Sequence, residues 1–527
     1  MRWRSLLLSA CLLGGLGATE PIRVAVDGWT TLNPLLMTRD TDGEAVDLVF
    51  DRLVTMAADG TFIPGLLQSW TVLRDGREVL LELRPGMTWQ DGTPIEAEDL
   101  VFTWKALRMP QVRAIADTVG GVASMDSFVA EGPLRVRIRL SRPRGTLLSD
   151  LYNFIPVPRR HYQVGPKPQT APVNFQPVGS GPYRVVGKAT TSYLKLELWP
   201  GYRGAHPGTW PAFEFKDSSE EKNLVQALLD HRYHYALVRA LPHYLVRKGA
   251  QGAGRLQAYS VPQAAFGAFF LNCDPKLSLL GDVALRQALA ELVPWQELAR
   301  ARRFFPARLA SAFWPPENWA HDDTPRPLPQ RGRAEAILEA AGWRMGPDGL
   351  RHDGRGRPLT LVAYEQNTSI TRSTAHLLAE EAAKVGMRIE VRRLPFEALT
   401  EKSMNHDGDI WSYGWTTSLD PDVDAPLFTG EGYRTKANVS SYLNPEVDRL
   451  FEEGRYTLDR VARRKIYLKL SEIIWRDKPV IPLNYILVRV LADARLRGVG
   501  FNVLGQAYGF WPGKRGWRLE SEGPSPK

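Results

Sequence analysis

Between Pro64 and Lys105 three turn-forming pairs, Asp75-Gly76, Pro85-Gly86 and Asp91-Gly92, cut a strand-like run into short pieces, and a helix pattern follows at once. Val79, Leu81 and Leu83 alternate with Glu82 and Arg84, the period of a half-buried strand, while Leu100, Val101 and Trp104 fall at helical spacing. The block predicts a small β-meander running into a helix. It holds no nucleophile, no metal-ligand spacing and no phosphate loop, so what it constrains is architecture.

The rest of the chain changes class along its length. Pro21 to Val26 alternates as a strand, Asp47 to Met56 reads as a helix, and Leu134 to Leu140 sets Val136 and Ile138 against Arg135, Arg137 and Arg139, a strand with arginines on its wet face. Pro166, Pro168, Pro172 and Pro177 give the stretch from Gly165 to Pro177 the composition of a linker. Beyond it, helical spacing over Glu220 to Asp230, Asp282 to Ala301, Arg333 to Ala341 and Thr371 to Val385 interleaves with strand patterns at Leu359 to Tyr364 and Arg388 to Leu394. Phe266 to Leu271 is continuously apolar, as in a strand buried on both faces. Such alternation predicts an α/β fold with a largely parallel sheet.

The Pro64 block resembles the PGLA-SW-DG-FxLRxGVxWxDGxPxTAxDVxFT signature of the family 5 extracellular solute-binding proteins, the peptide-binding type of receptor that feeds ABC importers. Leu32-Asn33-Pro34, Pro177-Val178-Gly179-Ser180-Gly181-Pro182-Tyr183, Ala334 to Trp343 with Asp348-Gly349, Tyr442-Leu443-Asn444-Pro445 with Asp448, and Asp477 to Leu483 resemble further segments of that family, so the likeness runs from about Leu32 to Leu483. It implies a bilobed periplasmic-binding-protein-like fold with an extra inserted α+β domain. Lobe I would comprise residues 19–41, 178–265 and 481–527, the inserted domain 42–177, and lobe II 266–480. A peptide-like solute would be clamped between the lobes and passed to a membrane permease by a monomeric receptor. A sensor or chaperone-like binding module, and a receptor for an oligosaccharide or other non-peptide solute, remain as alternatives.

The segment Asp409 to Asp422 carries the strongest site pattern. On an extended strand Trp411, Tyr413 and Trp415 share one face. Trp411 and Tyr413 read as core, whereas Gly414-Trp415 coincides with the family's GW pair, whose backbone binds an extended ligand. The resemblance implies a ligand-binding set of Arg39, Asp40, Thr41, Asn272, Trp411, Tyr413, Gly414, Trp415, Thr416, Thr417, Ser418 and Asp420. Peptide receptors of the family commonly carry Asp three residues after that Trp, to pair with the ligand's ammonium; this chain has Ser418. Either Asp420 or Asp422 substitutes for it, or the ligand has no free amine. Glu96 likewise replaces the family's Thr before the helix that follows the meander, and Glu is a poorer N-cap, so that helix start is open.

Of 527 residues 44% are hydrophobic and 24% charged, enough for two or three cores without disulfides. Met1 to Ala18 pairs Arg2 and Arg4 with a short apolar run, the form of a secretory signal, and points to a periplasmic protein; Cys11 offers a second reading, lipid anchoring. Loss of both arginines takes the formal charge from +9 to +7, a modest excess with no nucleic-acid motif. Cys273, in an apolar run, reads as an inert buried thiol. His231 and His234 at helical spacing, with His243 nearby, are a weak metal pattern, and no cofactor motif occurs. Ser180 lacks the outer glycines of a nucleophile elbow, so no enzyme is predicted.

Overall fold

The computed structural model describes residues 20–113, 120–123, 125–221, 223–238, 254–301, 307–367 and 373–520. The secretory segment, Cys11 and His243 lie outside them. Among the described residues no helix is long and apolar enough to cross a membrane.

One large mixed sheet runs through the molecule in the order Arg388–Leu394, Thr360–Gln366, Ile410–Thr416, Leu256–Leu271, Val480–Asp493, Tyr235–Val238, Ile22–Val26, Ala212–Asp217, Tyr193–Leu198, Tyr183–Val185. Two strands are far longer than the rest: Leu256–Leu271 with 16 residues and Val480–Asp493 with 14. They pair antiparallel along most of their length and are the shared spine of two halves. In one half, Phe266, Ala268 and Phe270 enter a core with Trp314, Trp411 and Tyr467, while the alternate Phe269 and Leu271 enter another with Leu338 and Leu378. Both faces of this stretch are buried, as its unbroken hydrophobicity requires.

The other half shares one core with the small domain that the Pro64 block builds. There Leu67–Leu73, Glu78–Leu83, Arg135–Arg139 and Ser127–Ala130 form a four-stranded antiparallel sheet, and the helix Ala97–Leu107 follows the meander. Val136 and Ile138 are fully buried, and the arginines that alternate with them stay on the wet face while pairing with acids: Glu78 lies 3.1 Å from Arg137 and 3.6 Å from Arg139, as well as 3.2 Å from Arg74. Glu78 is buried while Arg74 and Arg139 are mostly exposed, so screening discounts each pair. Glu78→Ala is expected to cost about 1–2 kcal/mol; an unchanged urea midpoint would refute that. Glu96 does occupy the N-cap, and the Asp99 carboxylate three residues on accepts its N–H at 3.0 Å.

Three local expectations fail for identifiable reasons. The first helix spans Asp40–Val49, not Asp47 to Met56, and Val54–Met56 is a strand. Buried Asp42 gathers the N–H groups of Thr30, Thr31, Thr38 and Arg39, which fixes the helix start early. The helix expected over Asp282 to Ala301 is two, Val283–Glu291 and Trp295–Ala301, because Pro294 cannot donate to the ladder. The Gly165 to Pro177 stretch is a folded segment and not a loose linker: Asn174 bonds Asn33 at 2.9 Å and the carbonyls of Pro168 and Gln169, and accepts Leu32 N–H at 2.7 Å.

Candidate functional site

Strand directions place the crevice. Ile410–Thr416 is antiparallel to Leu256–Leu271 and therefore runs the same way as Val480–Asp493, whereas Tyr235–Val238 runs against it. Thr360–Gln366 and Arg388–Leu394 are parallel to the first of these, and Ile22–Val26 and Ala212–Asp217 to the last. Carboxyl ends of parallel strands from the two halves thus face each other across the middle of the spine, where ligands of α/β folds gather. Trp415 is level with Phe266 and Tyr485, and Val238 with Arg489, four residues farther along the same strand. At ~3.3 Å per residue the two lips are offset by ~13 Å along the strand direction. The long strands slip register between Pro262 and Phe266 and again between Gly267 and Ala268, two irregularities that bend the spine where the halves meet.

The 411–418 segment forms one lip. Trp411 is fully buried; Tyr413 stacks on Phe270 with ring centroids 4.6 Å apart, and burial pushes its phenol up to about 12. Trp415 is half-buried and donates its indole N–H to Asp424 at 2.9 Å, while the buried Trp314 donates to the other oxygen of the same carboxylate at 2.9 Å. Burial raises Asp424 to about 7, and Asp420 and Asp422 add to the rise against the two indole donors. Thr417 is clamped to the spine, its N–H and hydroxyl both donating to the Ala264 carbonyl at 2.7 and 3.0 Å, and the Ser418 carbonyl accepts from Asn318 at 2.9 Å. Pairing with Thr360–Gln366 ends at Ser412, so beyond it this strand is paired, among the described residues, on the spine side only. Gly414 and Thr416 are exposed, and the alternation of an antiparallel ladder turns their N–H and C=O groups toward that open edge.

A family model, bacterial extracellular solute-binding proteins, family 5 (middle region), matches residues 61–436. The chain belongs to that family. Protein XP55 of Streptomyces lividans is 28% identical over 506 residues, covering 91% of this chain and 86% of the relative. The oligopeptide-binding protein OppA of Bacillus subtilis is 21% identical with 96% of both chains covered. Among solved structures, B. subtilis AppA in complex with a nonapeptide has a TM-score of 0.76 at 19% identity, covering 95% of this chain and 99% of that one. NikA from Brucella suis with Fe(III)-EDTA has a TM-score of 0.80 at 18% identity, covering 95% and 100%. The bilobed family 5 fold is therefore that of this chain, and its homologues are binding proteins.

The other expected site residues scatter. Asn272 is fully buried and spent on the backbone, donating to the carbonyls of His406 and Gly408 and accepting Asp274 N–H. Its N–H pairs with Asp409, six residues before Trp415, so roughly 20 Å of strand separates the two. Arg39, exposed, caps the helix Asp40–Val49 in the opposite half, where Thr41 keeps a buried hydroxyl without a hydrogen-bond partner among the described residues. Asp40 opens the same helix. Asp420 is 4% exposed and held by both terminal nitrogens of Arg463 at 2.8 and 2.9 Å; Asp422 is held by Arg455 at 2.8 Å. Neither carboxylate is free to replace the aspartate that Ser418 displaces.

The sequence candidates for chemistry have structural employment. Ser180 is buried and its hydroxyl accepts Asp51 N–H at 2.8 Å, while Gly181 approaches so closely that a Cβ there would sit 2.6 Å from the Leu48 carbonyl. His231 and His234 do not share a helix: His231 has φ +54° and pairs with Asp493 at 2.6 Å, and His234 accepts Arg23 N–H at 2.9 Å. Burial pushes the Cys273 thiol up to about 12, as an inert thiol requires. Two residues near the crevice escaped sequence reasoning: Asp424, which bridges nearby Trp415 and the distant Trp314, and Arg489, whose only signal was a charge inside the apolar run Ile486 to Ala492.

Proposed function

We propose that this protein is an extracytoplasmic receptor that captures an extended, peptide-like solute between its two lobes and delivers it to an ABC permease without altering it. Lobe I is taken as residues 19–41, 178–265 and 481–527, with 42–177 inserted and 266–480 forming lobe II. The observation that carries the reading is the open strand edge at Gly414 and Thr416, facing the crevice beside Trp415. An extended ligand there gains main-chain hydrogen bonds whatever its side chains are, which suits a receptor for varied peptides. Ser418, together with the commitment of Asp420 and Asp422 to arginines, favours a solute without a free amino terminus, since a desolvated ammonium would lack its counter-charge. Lobe closure then works by population shift, the solute stabilising the closed state through contacts made only there.

Purified protein incubated with a peptide mixture should retain a subset, recovered at unchanged mass after denaturation. Trp415→Ala should weaken that binding by about 2 kcal/mol, roughly thirtyfold, as loss of a buried aromatic anchor does. Shortened peptides in the mixture would point to hydrolysis, and wild-type affinity in the Trp415 variant would remove this segment from the site.

A further inference from the structure

Arg489 lies on the regular stretch of Val480–Asp493, level with Val238 at the carboxyl end of its strand and therefore at the lobe I lip of the crevice. It has the same parity as Tyr485, which is level with Trp415, so Arg489 and Trp415 share a face of the sheet. The residue is only 6% exposed. Of the five N–H donors of a guanidinium, one terminal nitrogen reaches the Ser260 hydroxyl, and the buried Nε has no partner among the described residues. No carboxylate among the described residues lies within ion-pair distance, and burial holds its pKa below the usual arginine range with no acid opposing the shift. Residues 239–253, which join Val238 to the spine, contain no Asp or Glu. Elsewhere in this protein Arg463 is matched by Asp420 and Arg515 by Asp51 at 2.6 Å, and the buried Arg286, which has no carboxylate among the described residues, is met by the backbone carbonyls of Asp477, Leu280 and Gly281. A buried guanidinium left with one hydroxyl is costly unless an anion arrives to meet it.

We propose that Arg489 is the anion-binding residue of the crevice and selects solutes that carry a carboxylate displaced at least about 13 Å along the strand direction from the segment bound at Gly414 and Thr416. The inference deepens the receptor reading and rests on it for the solute's backbone, though not for the anion. A blocked amine and a free carboxylate together describe the solute: acidic or zwitterion-free, and at least about four extended residues long. The basic excess of the chain favours the same sign of ligand.

The full exported chain and its Arg489→Gln variant are melted in equimolar sodium acetate and sodium chloride, with circular dichroism to verify folding. Arg489→Met, which keeps length without charge, replaces the glutamine variant if that does not fold. Acetate should raise the wild-type midpoint above that in chloride and leave the variant with the same midpoint in both salts; equal acetate effects in the two proteins overturn the proposal. N-acetyl-tetraalanine and its C-terminal amide are then titrated. The acid should bind wild type at least about tenfold more tightly than the amide, with the difference abolished in the variant and partly kept in Arg489→Lys. Equal affinity for acid and amide overturns the selection of solute by Arg489. An Arg489-dependent acetate effect with neither peptide bound would leave the anion site standing and defeat the peptide reading instead.

Discussion

Replacing Asp420 by alanine is expected to destabilise the protein by roughly 3–5 kcal/mol, among the largest costs any single polar substitution here should carry. Asp420 and Arg463 are each about nineteen-twentieths buried and form a bidentate pair at 2.8 and 2.9 Å. Arg463 also donates to the carbonyls of Gly145 at 3.0 Å and Gly454 at 2.8 Å, so it ties the loop after Arg135–Arg139 to the helices Pro445–Tyr456 and Arg460–Asp477. Gly145 N–H reaches Arg455 O at 2.8 Å beside it, and Arg142 pairs with Glu452 across the same seam. Removing the carboxylate would strand a guanidinium where water cannot replace its partner. The double change Asp420→Ala with Arg463→Met should recover much of the loss, because it removes the uncompensated charge as well. Urea denaturation followed by tryptophan fluorescence measures both. A single variant within 1 kcal/mol of wild type, or a double variant worse than the single, would show that the pair is not the seam's electrostatic anchor.

How far the chain could be read without coordinates depends on the distance over which its determinants act. Val136 and Ile138 announced a half-buried strand because alternation is local, and Phe266 to Leu271 announced a doubly buried one for the same reason. Trp411, Tyr413 and Trp415 were placed on one face by the same period, and the stack of Tyr413 on Phe270 agrees. The early start of the first helix was hidden because Asp42 collects donors from a loop folded back on it, a tertiary arrangement with no periodic trace. Asn272 and Trp415, both implied by family likeness to serve one ligand, sit on neighbouring strands, Asn272 beside the start of Ile410–Thr416 and Trp415 near its end, a separation that only pairing register reveals. The employment of Asp420 by Arg463 and of Asp424 by Trp314 spans 43 and 110 residues of sequence. A charge inside an apolar run was the one local sign of Arg489, and core patterning alone gives no reason to look for its missing partner.

Asp424 should make this protein lose stability as pH rises from about 4 to about 7, and Asp424→Asn should remove that dependence. Its carboxyl is 1% exposed, meets two indole N–H donors and, among the described residues, no cation within ion-pair distance, and is raised by burial from 3.8 to about 7. A carboxyl that holds its proton more firmly folded than unfolded adds stability below the unfolded value; that stability drains away through the window and is gone above the folded value. A shift of about 3 units corresponds to roughly 4 kcal/mol at most. Asp150, raised to about 6 chiefly by burial, adds in the same direction, whereas His234, lowered to about 4 by burial, works against both by losing stability as pH falls below 6.5. The difference between variant and wild type cancels those common contributions. Near pH 4 the two should have similar stability, less about 1 kcal/mol for an amide that can accept from only one indole well. By about pH 8 the variant should be the more stable by a few kcal/mol, measured as urea midpoints across the range. Parallel profiles would show that Asp424 is ionised throughout. The fluorescence of Trp415 and Trp314 gives an independent reading, because neutralising the shared carboxylate changes the field at both rings in the wild type alone. A carboxylate kept between two indoles at such a cost fixes the orientation of Trp415 at the crevice, so the variant's extra stability at high pH should be accompanied by a looser ring and weaker solute binding.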